Sequence, residues 1–569
     1  MPAVDIAGFR QWTTNPNPRV IANNDISDVL NFDWENNALV GRLGSSKWKN
    51  NLQWPGLKVL RFVDFHRQSD IYFFVIASTS DGKLYWIRSD DPNYGTASAT
   101  YTEILSPSSG SPALNPALKL ARFFGFNDLL FVVAGSNDIY SWDGASATLT
   151  AVTNPTSLGT NNIVDIQEKS ARIVALDDGG NIHLAAAADS SVTAFTAAGS
   201  GRMRYGRLEG LKATAIIPYK DDLIVTTEDK LLLKFQTFRL KGIQFYDATI
   251  PGSEVGQFEV SKESVLAGMI GSSVQEIDGD TIGLTPRGFV SVTKALSGNV
   301  LLEKDFLSYP IKEIIQKINF KASNKITSTV DTIKSKYYCA VPFGESASEA
   351  NIILVFYYGN SSGDTLLGDG ISRWSVYSSL AWEEIVTLGK IQGKPYVADS
   401  NGEIYKLEDI DADFADDTSD IHYYFKTAAI GGNTLTVEKR YSNLNVLFTN
   451  LVIPTELAKI EMRTYPVINN QVVNSSGEDI PITPVLIAPP GGIAKYDTSD
   501  FLYDEGHFYD SSGSNQRLVS LQGQPITAES MQWVFRTKTQ GIRWGIGQIS
   551  VDVEVANTMT RAGVDNNDV

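Results

Sequence analysis

Apolar and polar positions alternate along most of the chain in short runs, each broken by a small polar turn. LKVLRFVD (57–64) and IYFFVIAST (71–79) end at Ser80, Asp81 and Gly82, and LYWIRS (84–89) follows. LKLARFFGFNDLLFVVAGSNDIYSW (118–142) repeats that order of strand, turn, buried strand, turn and aromatic strand. ARIVALDDGGNIHLAAA (171–187), LKATAIIPYKDDLIVTTEDKLLLKF (211–235) and SVQEIDGDTIGLTPRGFVSVT (273–293) continue it. SKYYCAVPF (335–343), NIILVFYYG (351–359) and KPYVADSNGEIYKL (394–407) complete the series. STSDGKLYWI (78–87), AGSNDIYSWDG (134–144) and ADSNGEIYKLED (398–409) share one feature: an Asp/Asn/Gly turn, then Ile or Leu, then Tyr. Gly and Asn adopt the positive φ of a hairpin tip at little cost, and Tyr and β-branched residues suit a half-buried pleated surface.

Short strands with turn signals at a loose repeat of roughly 40–50 residues predict the blades of a β-propeller. A single blade cannot bury both of its faces, so blades stack around a central channel, about six or seven of them here. FLSYPIKEIIQKINF (306–320) departs from the pattern, with Ile311, Ile314, Ile315 and Ile318 at helical spacing and Ser308 and Pro310 suited to a helix start. It is expected to be a short helix covering one edge of the propeller. EDIDADFADDTSD (408–420) reads as an extended, solvated acidic linker.

Beyond the linker the spacing changes. ISVDVEV (549–555) alternates strictly, and YSNLNVLF (441–448) and MQWVFRTK (531–538) read similarly, which predicts a second all-β unit of sandwich type. PPGG (489–492) and DSSGSNQ (510–516) are loops within it. The expected fold is thus all-β, a propeller followed by a β-sandwich-like domain. Its organisation is an N-terminal segment 1–50 that contacts a partner or closes the propeller, a propeller over 51–412, a sandwich over 413–557 and a flexible tail over 558–569.

Composition agrees and narrows the chemistry. The 569 residues carry 23 Tyr, 26 Phe, 10 Trp and 46 Gly, as an all-β chain with many tight turns should. The net charge of −17 argues against a surface that binds nucleic acid through phosphate contacts. The single cysteine, Cys339, excludes an intramolecular disulfide and lies in an apolar run, where it is expected to be an inert core thiol. MPAVDIAGFRQW has no basic, apolar leader pattern, and no run approaches the ~18 apolar residues of a membrane helix. The expectation is a soluble protein without membrane insertion.

No catalytic, cofactor-binding or metal-ligating residue is assigned. His66, His183, His422 and His507 share no ligand spacing. GKIQGK (389–394) is one residue short of a phosphate loop, and Pro395 follows Lys394 where Ser or Thr is needed. GESAS (344–348) lacks the second Gly of a nucleophile elbow. A glycosidase needs two facing carboxylates; Asp81, Asp278, Asp280, Glu383 and Glu384 are the candidates, the three Asp reading more simply as turn residues. TSDGKLYW is a near miss to the sialidase Asp-box, and the acidic run lacks the spacing of an EF-hand calcium loop.

IANNDISDVLNFDWENNALVGRLGSSKW (21–48) resembles the opening of virion proteins from short-tailed phages. So does the order of DGDTIGLTPRGFVSV, the Pro310 helix, SKYYCAVPF, NIILVFYYG and ISRWSVYS, then GEIYKL, an acidic stretch and VEKRYSNLNVLF. The family is the tail-nozzle and head-stabilisation β-propeller proteins, and the likeness rests on pattern and order. It implies a ring of copies, six in the usual case, joined to the portal–adaptor complex around the DNA exit channel. It further implies assembly in the host cytoplasm, a place in the virion tail, passage of genomic DNA without specific binding, and no enzyme activity. Two other classes compete. One is a host-glycan adhesin using Trp374, Trp382, Tyr357 and Tyr358 as a sugar platform, and the other is a propeller glycoside hydrolase.

Overall fold

The computed structural model describes residues 3–14, 21–35, 38–49, 54, 56–67, 72–94, 96, 98, 100–107, 122–133, 138–155, 158–169, 171–179, 181–204, 212–219, 222–228, 233–241, 257–264, 269–277, 279–295, 302–358, 372–382, 384–412, 415–431, 438–452, 460–468, 471–472, 482–487, 517–521, 526–537 and 543–555. The chain forms two compact units. One comprises residues 45–359 and 382–407, the other 1–44, 360–381 and 408–569.

The first unit is a β-propeller. Among its described residues, seven small antiparallel sheets follow one another along the chain. Their first strands are Val59–His66, Arg122–Phe126, Ile163–Lys169, Lys212–Tyr219, Gln275–Ile277, Thr327–Asp331 and Ile385–Ile391, which we number blades 1 to 7. Each first strand lies beside the next, with Gly271–Ser273 bridging blades 4 and 6 around blade 5, and Ile385–Ile391 returns to Val59–His66, so the ring closes. Among the described residues every first strand has a ladder partner strand along one edge only, as expected of strands around a central channel.

Apolar burial follows from this stacking. Phe65, Phe74 and Ile76 of blade 1 pack on Leu130, Val132 and Trp142 of blade 2. Phe131 and Val133 of blade 2 meet Ile166, Ile173 and Ala175 of blade 3, and Val174, Leu176 and Leu184 of blade 3 meet Ile216, Leu223 and Val225 of blade 4. Polar contacts reinforce the joints where the first strands bulge. A bulge leaves a ladder amide unpaired. Just past the bulges of blades 4 and 7, the Ile216 and Leu388 amides donate to Asp165 Oδ2 (2.9 Å) and Thr327 Oγ1 (3.0 Å) on the preceding blade.

The ring is closed by a strand from upstream. Ser46–Lys49 pairs with Ile404–Lys406, adding a fourth strand to blade 7. Its Trp48 is 4% exposed and packs against Tyr94, Tyr101 and Tyr396 at ring-centroid distances of 5.6 to 6.0 Å. Blade 7 also approaches blade 1 closely. A Cβ on Gly389 would sit 2.5 Å from the Phe62 ring, so no larger residue fits without displacing that ring.

The recurrent turn-and-Tyr stretch joins the second and third strands of a blade. In blades 1 and 7 the geometry is the same. The Gly82 and Gly402 amides donate to the Thr79 and Asp399 carbonyls, with φ of 82° and 81° at the two glycines. Such a φ favours glycine.

The 302–326 region differs from the expected helix. It contains one α-helical turn, Lys312–Gln316, between 3-10 turns at Tyr309–Ile311 and Phe320–Lys325. Ile311, Ile315 and Ile318 are buried, while Ile314 is only partly so. Ser308 does not cap the helix. Its Oγ accepts the Phe289 amide (2.9 Å) and the Leu307 amide donates to the Phe289 carbonyl, so this segment covers the outer edge of three-stranded blade 5.

The second unit is a β-sandwich, and it draws on both ends of the chain. One sheet runs Phe32–Glu35, Ala38–Gly41, Arg543–Val555, Lys439–Val452 and Arg517–Leu521, with Ala3–Ala7 also paired to Arg543–Val555. The other runs Ile26–Leu30, Tyr424–Thr427, Ser530–Thr537, Ile460–Ile468 and Gln471–Val472. Rings from the two sheets interlock, Phe448 with Phe535 at 6.2 Å and Phe32 with Phe425 at 6.4 Å. In the last strand Ile549, Val551 and Val553 are buried, but Val555 at its end is 58% exposed. A bulge at Asn443 (φ 50°) puts Tyr441 and Leu444 on the buried face.

Two expectations of organisation change. Ala3–Ala7, Ile26–Leu30, Phe32–Glu35 and Ala38–Gly41 are strands of the sandwich, and among the described strands of the N-terminal segment only Ser46–Lys49 joins the propeller. The described residues of the acidic stretch, 408–412 and 415–420, are folded and not an extended linker. Glu408, Asp409 and Asp416 are buried, and Asp416 receives a bidentate pair from Arg42, NH1 to Oδ1 at 2.9 Å and NH2 to Oδ2 at 2.5 Å. Arg42 also donates to Asn31 Oδ1 and lies 5.1 Å from the Tyr377 ring centroid. Burial opposes its charge, but the Asp416 pairing outweighs it and raises the guanidinium pKa. A buried counter-charge thus removes the repulsion on which the linker reading rested. The expected loops at 489–492 and 510–516 and the expected tail at 558–569 lie outside the described residues.

Two measurements check this account. Trp48→Ala empties the closing joint and is expected to cost the propeller about 3–5 kcal/mol in urea unfolding followed by tryptophan fluorescence. A loss below roughly 1 kcal/mol would contradict the assigned packing. Arg42→Met strands a buried carboxylate and is expected to destabilise the sandwich by about 3–5 kcal/mol. Asp416→Leu added to it should recover part of that loss.

Candidate functional site

The described carboxylates among those considered for sugar hydrolysis do not converge. Asp81 is a turn residue of blade 1, its Oδ1 accepting the Thr79 hydroxyl and, at 3.3 Å, the Lys83 amide. Asp280 is buried in blade 5, where it accepts the Ser291 hydroxyl and both the amide and the hydroxyl of Thr293. Glu384 is exposed beside blade 7, while Asp278 and Glu383 lie outside the described residues. The aromatics considered as a sugar platform are engaged in packing. Trp374 and Trp382 are fully buried, Tyr358 donates to the Asp331 carbonyl (3.3 Å), and Tyr357 lies under the Lys336 ammonium at 5.3 Å. Cys339 is buried, and burial pushes its thiol up to about 12.

The histidines are dispersed, with His507 outside the described residues. Among the described residues no group of three or more His, Cys, Asp or Glu is placed to hold a metal ion, and no helix is long and apolar enough to cross a membrane. His183 is fully buried, with Nε2 3.0 Å from Asp177 Oδ2. Asp177 also accepts the Asn181 amide and side chain (both 2.7 Å) and the Asn161 side chain (3.1 Å). Burial pushes this carboxyl up, but the hydrogen bonds from His183 and the two asparagines outweigh it and hold it at about 2. The network fixes the turn between two strands of blade 3.

One open cleft does gather unsatisfied polar groups. It measures about 650 Å³ and is lined by Asp64, His66 and Phe73 of blade 1 and Lys390, Gln392 and Gly393 of blade 7. Gln392 and Gly393 form the hairpin tip between Ile385–Ile391 and Lys394–Asp399, both at positive φ. The Gln392 amide donates to Asp64 Oδ2 (2.8 Å), which orients the carboxylate across the joint. Burial raises the Asp64 pKa, and the Gln392 amide and the Lys390 charge only partly offset that. The His66 ring lies 4.9 Å from the Phe73 ring. Near Asp64, the Tyr94 hydroxyl is buried without a hydrogen-bond partner, and burial together with the Asp64 charge pushes it up to about 12.

No sequence signal joins residues 64–66 to 390–393, because only ring closure brings them together. The GKIQGK stretch that fails as a phosphate loop supplies the hairpin. His66 stood out in the sequence only as an unmatched metal ligand.

No protein-family model matches the chain, and no curated protein matches it. Solved structures similar to it include the WD40 β-propeller domain of Doa1, at 9% identity over 63% of this chain and 99% of that one, with a TM-score of 0.34. YCF48 bound to D1 peptide is similar at 9% identity over 67% of this chain and 97% of that one, with a TM-score of 0.37. BamB from Moraxella catarrhalis is similar at 11% identity over 72% and 98%, with a TM-score of 0.31. Likenesses at these scores carry nothing about function, and the propeller rests on the closed ring of sheets.

The Asp177 network makes a pH prediction. Its folded pKa, about 2, lies below the ordinary 3.8. The stabilisation is therefore full above pH 3.8 and lost as pH falls through about 2, on the order of 2 kcal/mol in all. Asp177→Asn should lower the melting temperature at pH 6, with the gap to wild type narrowing below pH 4. A gap independent of pH would contradict the charge assignment.

Proposed function

We propose that the protein is a structural virion component of a short-tailed phage, a tail-nozzle or head–tail connecting protein that acts as a ring of identical copies on the portal–adaptor complex. The observation that carries this reading is the strand order from residue 21 to 448, which resembles that of the nozzle and head-stabilisation propellers. The reading includes six copies per ring, genomic DNA passing without specific binding, and no catalysis.

The competing readings have weaker support. The adhesin loses its platform, since Trp374 and Trp382 are buried, and the described hydrolase candidates sit in separate blades.

Ring contacts between identical copies are heterologous, and a net charge of −17 per copy opposes them at long range. A template that holds copies side by side raises their effective concentration. Light scattering on the purified chain is expected to give a monomer at low and high salt, with a ring only after the portal–adaptor complex is added. A stable ring at low salt without another virion protein would contradict this assembly route. Imaging of particles that finds the chain outside the tail would contradict the function itself.

A further inference from the structure

We propose that the cleft between blades 1 and 7 is a binding site for a neutral, hydroxyl-rich ligand of mono- or disaccharide size. The inference is independent of the virion reading and uses none of the aromatics considered as a sugar platform.

Three observations carry it. First, the cleft holds opposite capacities close together. Asp64 accepts the Gln392 amide at Oδ2 and lines the cleft with its carboxylate. Among the described residues Lys390 makes no ion pair, though its charge acts on Asp64, and the Gln392 side-chain amide and the His66 ring make no hydrogen bond. A simple anion would face the Asp64 carboxylate, and a simple cation would face the Lys390 ammonium. A neutral polyol meets neither penalty, because each hydroxyl both donates and accepts. Second, Phe73 and His66 form an apolar wall of two rings, the surface against which the C–H face of a sugar packs. Third, the wall and the carboxylate are pre-set. Phe73 is held through its backbone, its amide and carbonyl bonded to Ser89, and Asp64 is fixed by an amide from the neighbouring blade. Pre-set groups lose little entropy on binding. A volume of about 650 Å³ accommodates one or two sugar rings.

Saturation-transfer NMR on the full chain tests this. The probes are glucose, galactose, N-acetylglucosamine and sucrose, with inorganic phosphate and ethylammonium as charged counterparts. At least one neutral sugar is expected to bind saturably. Asp64→Ala and Lys390→Met should each weaken it about tenfold or more, since bonds to charged groups are the strong ones. Asp64 also ties two blades together, so Lys390→Met, which leaves the Gln392–Asp64 hydrogen bond in place, keeps the test independent of folding. No saturable sugar binding up to about 100 mM would overturn the proposal. Sugar binding unchanged in Lys390→Met would overturn it too, as would phosphate or ethylammonium occupying the site in place of the sugars.

Discussion

The fold depends on one short piece of backbone pairing, that of Ser46–Lys49 with Ile404–Lys406. A propeller without closure exposes the apolar face of its first and last blades and leaves an open sheet edge. The closing strand supplies the ladder bonds that complete blade 7 as a four-stranded sheet. It also supplies Trp48, which fills the joint between blades 7 and 1 with Trp54, Phe62, Tyr101 and Tyr396. Lys47 adds an ion pair to Glu403 at 3.0 Å, but both side chains are partly exposed and that pair contributes little beside the buried rings. Closure from upstream costs loop entropy over more than 350 residues, yet that cost grows only slowly with length.

Closure also sets the order of the rest. The described strands upstream of Gly44 belong to the sandwich, so its strands come from both sides of the propeller in sequence. Arg42, four residues before the closing strand, is paired with Asp416, ten residues after the strand that the closing strand pairs with. The sandwich thus ties together the two chain segments that enter and leave blade 7. The cleft at Asp64 and Lys390 is a consequence of the same event, since its two walls are the first and last blades.

Much of the propeller was legible because blade strands obey local rules. Apolar runs of five to eight residues, glycine at positive φ and a following Tyr mark the turns, and Gly82 and Gly402 adopt nearly the same φ. The approximate repeat led to six or seven blades, and seven sheets are found among the described residues. What the sequence hid was non-local. Nothing near Trp48 indicates that its partners are Tyr94, Tyr101 and Tyr396, and nothing in IANNDISDVL indicates pairing with 424–427. The run of aspartates at 408–420 was misleading because charge density was weighed without Arg42, a buried cation distant in sequence. Ser308 and Pro310 marked a helix start, yet the hydroxyl was needed for the edge of blade 5. The cleft left no sequence signal, since a site assembled from two distant hairpins needs no motif.

Cross-linking across the closing strand tests the central claim most directly. Ser46 and Lys406 face each other in the antiparallel register and are both partly exposed, whereas the native Cys339 is buried. A Ser46→Cys/Lys406→Cys variant is expected to oxidise to an intramolecular disulfide in the folded state and to unfold at higher urea than its reduced form. Closing a loop of that length removes on the order of 6 kcal/mol of unfolded-state entropy. Two thiols that stay reactive and unlinked in the folded protein would contradict closure by this strand.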